Sequence, residues 1–95
     1  MRINVTRRDI DRGEQYSPED CPIARAARRH FRDVSVAWDA LLAAGQLRPG
    51  SSPLEVRFEL PDEAKEFIRA FDAGEDVYPF TFELGGGIAW APPQE

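Results

Sequence analysis

Cys21 and His30 are the side chains best suited to nucleophilic or acid–base work, since the chain has one cysteine and one histidine. Cys21 stands before Pro22, where a helix is expected to begin. A thiol at a helix N-terminus is shifted toward the thiolate by the dipole and becomes a candidate nucleophile. It would need a base. His30 follows nine residues later, roughly 13 Å further along one continuous helix at 1.5 Å per residue. The two cannot pair within one molecule. Cys21 therefore reads as a small capping residue, and a Cys21-dependent enzyme remains only an alternative. His30 falls on the apolar side beside Ile23, Ala27 and Phe31, as a neutral core or edge histidine. A catalytic or pH-sensing histidine is its other reading.

The arginines are the more unusual signal. Arg25, Arg28, Arg29 and Arg32 recur at i,i+3 and i,i+4 spacing, and residues 22–32 contain no acid. Each like-charge pair disfavours an isolated helix by roughly 0.2–0.5 kcal/mol. Such a face calls for an anion. A solvated face, or one paired internally with Glu55 or Glu59, is the simpler reading; an acidic patch on a second subunit, a phosphate group or an acidic protein surface is the alternative. Gly85, Gly86 and Gly87 follow a strand, but neither a helix start nor a lysine comes after them. A flexible turn is the simpler reading than a phosphate loop, with closure over a ligand as the alternative.

No metal or cofactor site is expected. One cysteine excludes an intrachain disulfide, and with one histidine it excludes a zinc site of the usual composition. Glu63 with Glu66, and Asp72 with Glu75 and Asp76, are ordinary solvated acids, too sparse in oxygen for a calcium loop.

These residues must be held by a single small core. The chain has 95 residues, 42% hydrophobic and 11% aromatic. That suffices for one domain without disulfides or metal. Arg2 to Val5 reads as a strand. Thr6 and Asp9 form a capping-box pair that starts a short helix, which Gly13 ends as the residue after the cap. Glu14 to Asp20 is a polar loop. Ile23, Ala26, Ala27, His30 and Phe31 define one face of a second helix.

Val34, Val36 and Trp38 alternate as a half-buried strand. Asp39 to Gly45 suits one or two helical turns, followed by a loop from Gln46 to Pro53. Leu54, Val56, Phe58 and Leu60 form the clearest strand. Pro61-Asp62-Glu63 opens a third helix with Ala64, Phe67, Ile68 and Phe71 inward and Gly74 as its stop. Phe80, Phe82 and Leu84 make the last strong strand, and Ile88-Ala89-Trp90 a hairpin arm.

This order predicts an α+β domain over residues 1–91 with a frayed tail at 92–95. Its expected architecture is one four-stranded, mainly antiparallel sheet covered by two helices. The pattern suits a ferredoxin-like βαββαβ order with a short extra helix after the first strand.

The net charge of −5 is uneven: residues 1–52 balance at +2 and residues 53–95 at −7. Nucleic acid is disfavoured as a partner, because phosphate neutralisation needs surplus positive charge. No apolar run approaches the roughly 20 residues of a membrane span, and no signal-peptide core opens the chain. A cytoplasmic address is the simplest expectation.

Three stretches carry a resemblance: INVTRRDIDRG from Ile3, CPIARAARR from Cys21, and LPDEAKEFIRAFDAGEDVYPFTFEL from Leu60. Together they resemble small uncharacterised proteins of phages and prophages of GC-rich bacteria. The resemblance implies a phage accessory protein working in a host bacterial cytoplasm. It supplies no catalytic residues. Such small proteins often inhibit host defence, and some sequester nucleotide signals.

The expectation is therefore a non-enzymatic binding protein that counters host defence by inhibiting a host protein. A sponge for a nucleotide immune signal and a virion or assembly component are the alternatives. Arg25, Arg28, Arg29, Arg32, His30 and Gly85 to Gly87 are the candidate contacts for a host protein, an anionic nucleotide or a second copy of the chain.

Overall fold

A computed structural model describes residues 1–46, 55–85 and 88–90. Strand β1 (Arg2–Val5) leads into helix α1 (Arg7–Arg12), and α2 (Pro22–Ala27) follows a polar loop. Strands β2 (Phe31–Val36), β3 (Ala40–Gln46) and β4 (Glu55–Glu59) come next. Helix α3 (Asp62–Asp72), β5 (Phe80–Glu83) and β6 (Ile88–Trp90) complete the order.

The α+β class expected from the sequence is observed, but the strands form two antiparallel sheets. Among the described residues β1 pairs with β5 alone, while the larger sheet runs β2-β3-β4-β6. The single sheet of ferredoxin-like order is therefore not the architecture. Residues 39–45 account for the difference. Expected as helical turns, they supply most of β3, with Leu41 and Ala43 facing the core at the two-residue period of a strand. β3 pairs Val36 with Leu41 on one side and Leu41 with Phe58 on the other. It thus occupies the inner edges of β2 and β4, and β1 and β5 are left to each other. β6 does join a sheet, but beside β4, with Val56 opposite Ala89, and not as an arm folded onto β5.

Local signals at the helix ends behave largely as chemistry dictates. The Thr6 hydroxyl accepts from the Asp9 N–H at 3.2 Å while the Asp9 carboxylate accepts from the Thr6 N–H at 2.9 Å. Pro22 occupies the first turn of α2 and Cys21 its N-cap. After α3, Gly74 adopts φ +77°. The Glu75 N–H then bonds the Ala70 carbonyl at 2.9 Å and the Gly74 N–H the Phe71 carbonyl at 3.1 Å, which satisfies carbonyls left orphaned by the helix end.

Gly13 serves a different purpose from the one expected. Its φ of −72° is open to any residue. A Cβ there would lie 2.6 Å from Pro22 Cδ and 2.8 Å from the Asp9 carbonyl. The glycine lets the end of α1 approach the start of α2.

Among the described residues both sheets and the three helices share one core, with Ile3, Ile23, Phe31, Leu41, Phe82 and Leu84 almost fully enclosed. An aromatic series joins α3 to the smaller sheet: Phe67 stacks on Phe80 at 4.7 Å, and Phe80 on Phe82 at 5.4 Å. In the larger sheet Phe31 meets Phe58 at 5.8 Å. The Gln46–Pro53 loop beyond Gln46, Gly86 and Gly87, the domain limit at 91 and the tail at 92–95 lie outside the described residues.

Candidate functional site

The arginines do not form one outer helical face. α2 ends at Ala27, so Arg28 and Arg29 lie in the following turn and Arg32 in β2. Two of them turn inward to acids from different directions. Both guanidinium N–H donors of Arg29 grip the Asp9 carboxylate, at 2.8 and 2.9 Å, and a third bond of 2.5 Å reaches the Asn4 carbonyl. Asp9 is buried. Burial alone would push its carboxyl upward; the bonds from Arg29 and Thr6 outweigh this and hold it below the ordinary carboxylate value.

Arg28 donates to Asp20 at 3.1 Å. Arg25 is half-buried, with its Nε enclosed and no acceptor for it among the described residues. Arg32 is exposed, in a shallow groove with Glu19, Arg28 and Asp33. The anion foreseen for the cluster is thus supplied at Arg28 and Arg29 by Asp20 and Asp9, and not by Glu59. Glu59 instead pairs with Arg57 at 2.8 Å.

His30 is half-buried in the turn, where its backbone N–H donates to the Ala27 carbonyl at 2.9 Å. It is not part of a helix face, because α2 is over three residues earlier. Gly85 is exposed, and a Cβ built on it meets nothing within 4 Å.

Cys21 is enclosed, and its sulfur accepts from the Ala24 N–H at 3.4 Å. Burial raises its thiol above the ordinary value and Asp72 adds to the rise; backbone donors at Ala24 and Ile23 offset only part. The neutral thiol acts as a cap, and the thiolate a nucleophile needs is disfavoured. Among the described residues, no group of three His, Cys, Asp or Glu is arranged to hold a metal. Among them too, no helix is long and apolar enough to cross a membrane.

The feature that spacing did not reveal is a cleft of about 210 Å³ between the start of α2, the end of β2 and α3. Ile23, Val36, Phe67, Ile68 and Phe71 give it apolar walls, and Tyr16 and Trp38 stand on its rim. Trp38 was expected on the buried side of a strand with Val34 and Val36. It lies instead in the tight turn between β2 and β3, closed by the Ala37 N–H donating to the Ala40 carbonyl at 2.8 Å, and is 72% exposed. Tyr16 is 76% exposed.

The loop carrying Tyr16 is fixed to the end of α3. The Gln15 side chain donates to the Phe71 carbonyl at 3.0 Å, and the Tyr16 N–H to Asp72 Oδ1 at 2.9 Å. These bonds hold Tyr16 at φ +57°, the one positive φ among the described non-glycine residues. That region costs a residue with a Cβ about 1–2 kcal/mol. The available signal in the sequence was two aromatics in polar surroundings, Gln15-Tyr16-Ser17 and Trp38-Asp39 beside turns.

No family model, curated protein or solved structure matches the chain.

Proposed function

We propose that the chain is a non-enzymatic binding protein that inhibits a host protein by direct contact, docking through the cleft flanked by Tyr16 and Trp38. The observation that carries this reading is two large aromatic rings, 76% and 72% exposed, standing on the rim of a pre-formed apolar cleft. Trp and Tyr so placed are characteristic anchors of protein contacts. The cleft of about 210 Å³ is smaller than the roughly 300–1,000 Å³ of small-molecule sites, and suits one or two protein side chains. The protonated state favoured for Cys21 supports a role without covalent chemistry. The phage setting, the host cytoplasm and the countering of defence rest on the resemblance of the three sequence stretches.

The test compares wild type with Trp38→Ala and Arg32→Ala in capture from host bacterial lysate. Captured protein is identified by mass spectrometry and its binding repeated with purified components. Loss with Trp38→Ala and retention with Arg32→Ala is expected. Retention with Trp38→Ala, or a nucleotide released from the denatured protein in place of a protein partner, would overturn the reading.

A further inference from the structure

The cleft also carries information about the chemistry of what it binds. Trp38, Ile68 and Asp72 line it on one side and also line a second groove that continues over α3. In that groove Asp62, Glu66 and Asp72 face Lys65 and Arg69. Arg69 is already committed: it bonds Glu66 at 2.6 Å and Glu75 at 3.0 Å. Among the described residues, no Lys or Arg lies within ion-pair distance of Asp62 or Asp72. Asp72 uses Oδ1 to accept the Tyr16 N–H, and its other oxygen takes no bond from the described residues. An apolar slot is thus bordered on its α3 side by carboxylate in excess of cation, Asp62, Glu66 and Asp72 against Lys65 and Arg69. The indole and phenol faces beside it attract cations as well.

We infer that the occupant is a peptide segment of a partner protein with one or two apolar anchor residues flanked by Lys or Arg. This rests on the docking reading above. The anchors enter between Phe67, Ile68 and Phe71, and the flanking cations lie over Asp72 and Asp62. Apolar burial supplies the affinity, and the acidic rim sets which segments are accepted. An acid-flanked segment meets like charge at the same positions and is rejected.

Amide and indole NMR shifts of the isotope-labelled full chain, titrated with capped tetrapeptides at low salt, test the inference. The probes are Arg-Leu-Phe-Arg, Glu-Leu-Phe-Glu and Arg-Ser-Ser-Arg. The first should shift the Trp38 indole and the amides of Phe67 to Asp72, and bind roughly fivefold tighter than the second, the size expected of two exposed ion pairs. The preference should shrink in added salt and vanish in the Asp62→Asn/Asp72→Asn double variant, whose amides keep acceptors in place. Arg-Ser-Ser-Arg should not saturate. Equal binding of the Arg- and Glu-flanked peptides overturns the inference but leaves docking at the cleft intact. Equal binding of Arg-Ser-Ser-Arg overturns the apolar anchor. Absence of shifts at Trp38 with every peptide overturns the inference together with peptide docking there.

Discussion

Arg29 and Asp9 illustrate how a residue that looks like a ligand contact becomes a fastening. The Asp9 side chain is 5% exposed and that of Arg29 47%. The same carboxylate completes the cap of α1, while Arg29 also ties the turn after α2 to the Asn4 carbonyl in β1. Removing the cation leaves a buried charge with only its capping bonds. Arg29→Ala is therefore expected to cost about 2 kcal/mol, below the ~3–5 kcal/mol of a fully buried pair because Arg29 is half in water. Arg32→Ala, on an exposed side chain, should stay within about 0.5 kcal/mol. Urea midpoints measure both; equal values would mean that the pair contributes nothing.

The pair also predicts a pH dependence. Asp9 titrates below its ordinary value in the folded chain, whereas the unfolded chain takes up that proton near the ordinary ~3.9. The unfolded state therefore binds the proton first as acid is added, and the stability from the pair is lost as pH falls through the folded value. The stability gap between wild type and Arg29→Ala should be constant above about pH 5 and narrow toward about pH 3. A gap that widens in acid would contradict this assignment.

At the scale of elements, contacts between helix ends matter as much as helix faces. Gly13 lies where α1 meets Pro22 of α2, and the Cβ of Gly13→Ala would stand 2.6 Å from the Pro22 ring. Neither the proline nor the α1 backbone can move freely, so a loss of about 1–3 kcal/mol is expected, read as a fall in Tm. Tyr16→Gly works in the opposite sense. It relieves the positive φ and removes a ring that is mostly in water. Its stability should stay within about 1 kcal/mol of wild type while partner capture is lost.

Elements whose signals are local were legible in the sequence: the capping box at Thr6 and Asp9, the Pro22 helix start, the Gly74 stop, and the inward face of α3. The β2 to β3 region was not. Asp39 looked like a helix cap, and Ala-Leu-Leu-Ala-Ala favours a helix when isolated. Pairing with β2 and β4 on both sides overrode that propensity. The arginine cluster misled for a similar reason. Its helical spacing was real, but acids 8 and 20 residues away drew Arg28 and Arg29 apart. Likewise the cleft joins residues from the loop before α2, the turn after β2 and α3, so no local pattern announces it.

For the whole molecule, two sheets are joined by one core. Ile3, Val5 and Phe82 from the smaller sheet and Val34, Leu41 and Phe58 from the larger belong to the same buried cluster as α2 and α3. Among the described residues neither sheet has a separate cluster of enclosed side chains, so they should unfold as a unit. Cys21 is a built-in reporter of that event. It sits at the N-cap of α2, beside the end of β2 and α3, and is 7% exposed with its thiol held neutral. A thiol reagent should react slowly with the native protein and at the rate of an ordinary cysteine once unfolded. Across a urea series, the labelled fraction and the far-UV circular dichroism should share one midpoint. Labelling completed at a urea concentration where the strand signal persists would mean that α2 opens separately, and that the two sheets do not depend on one core.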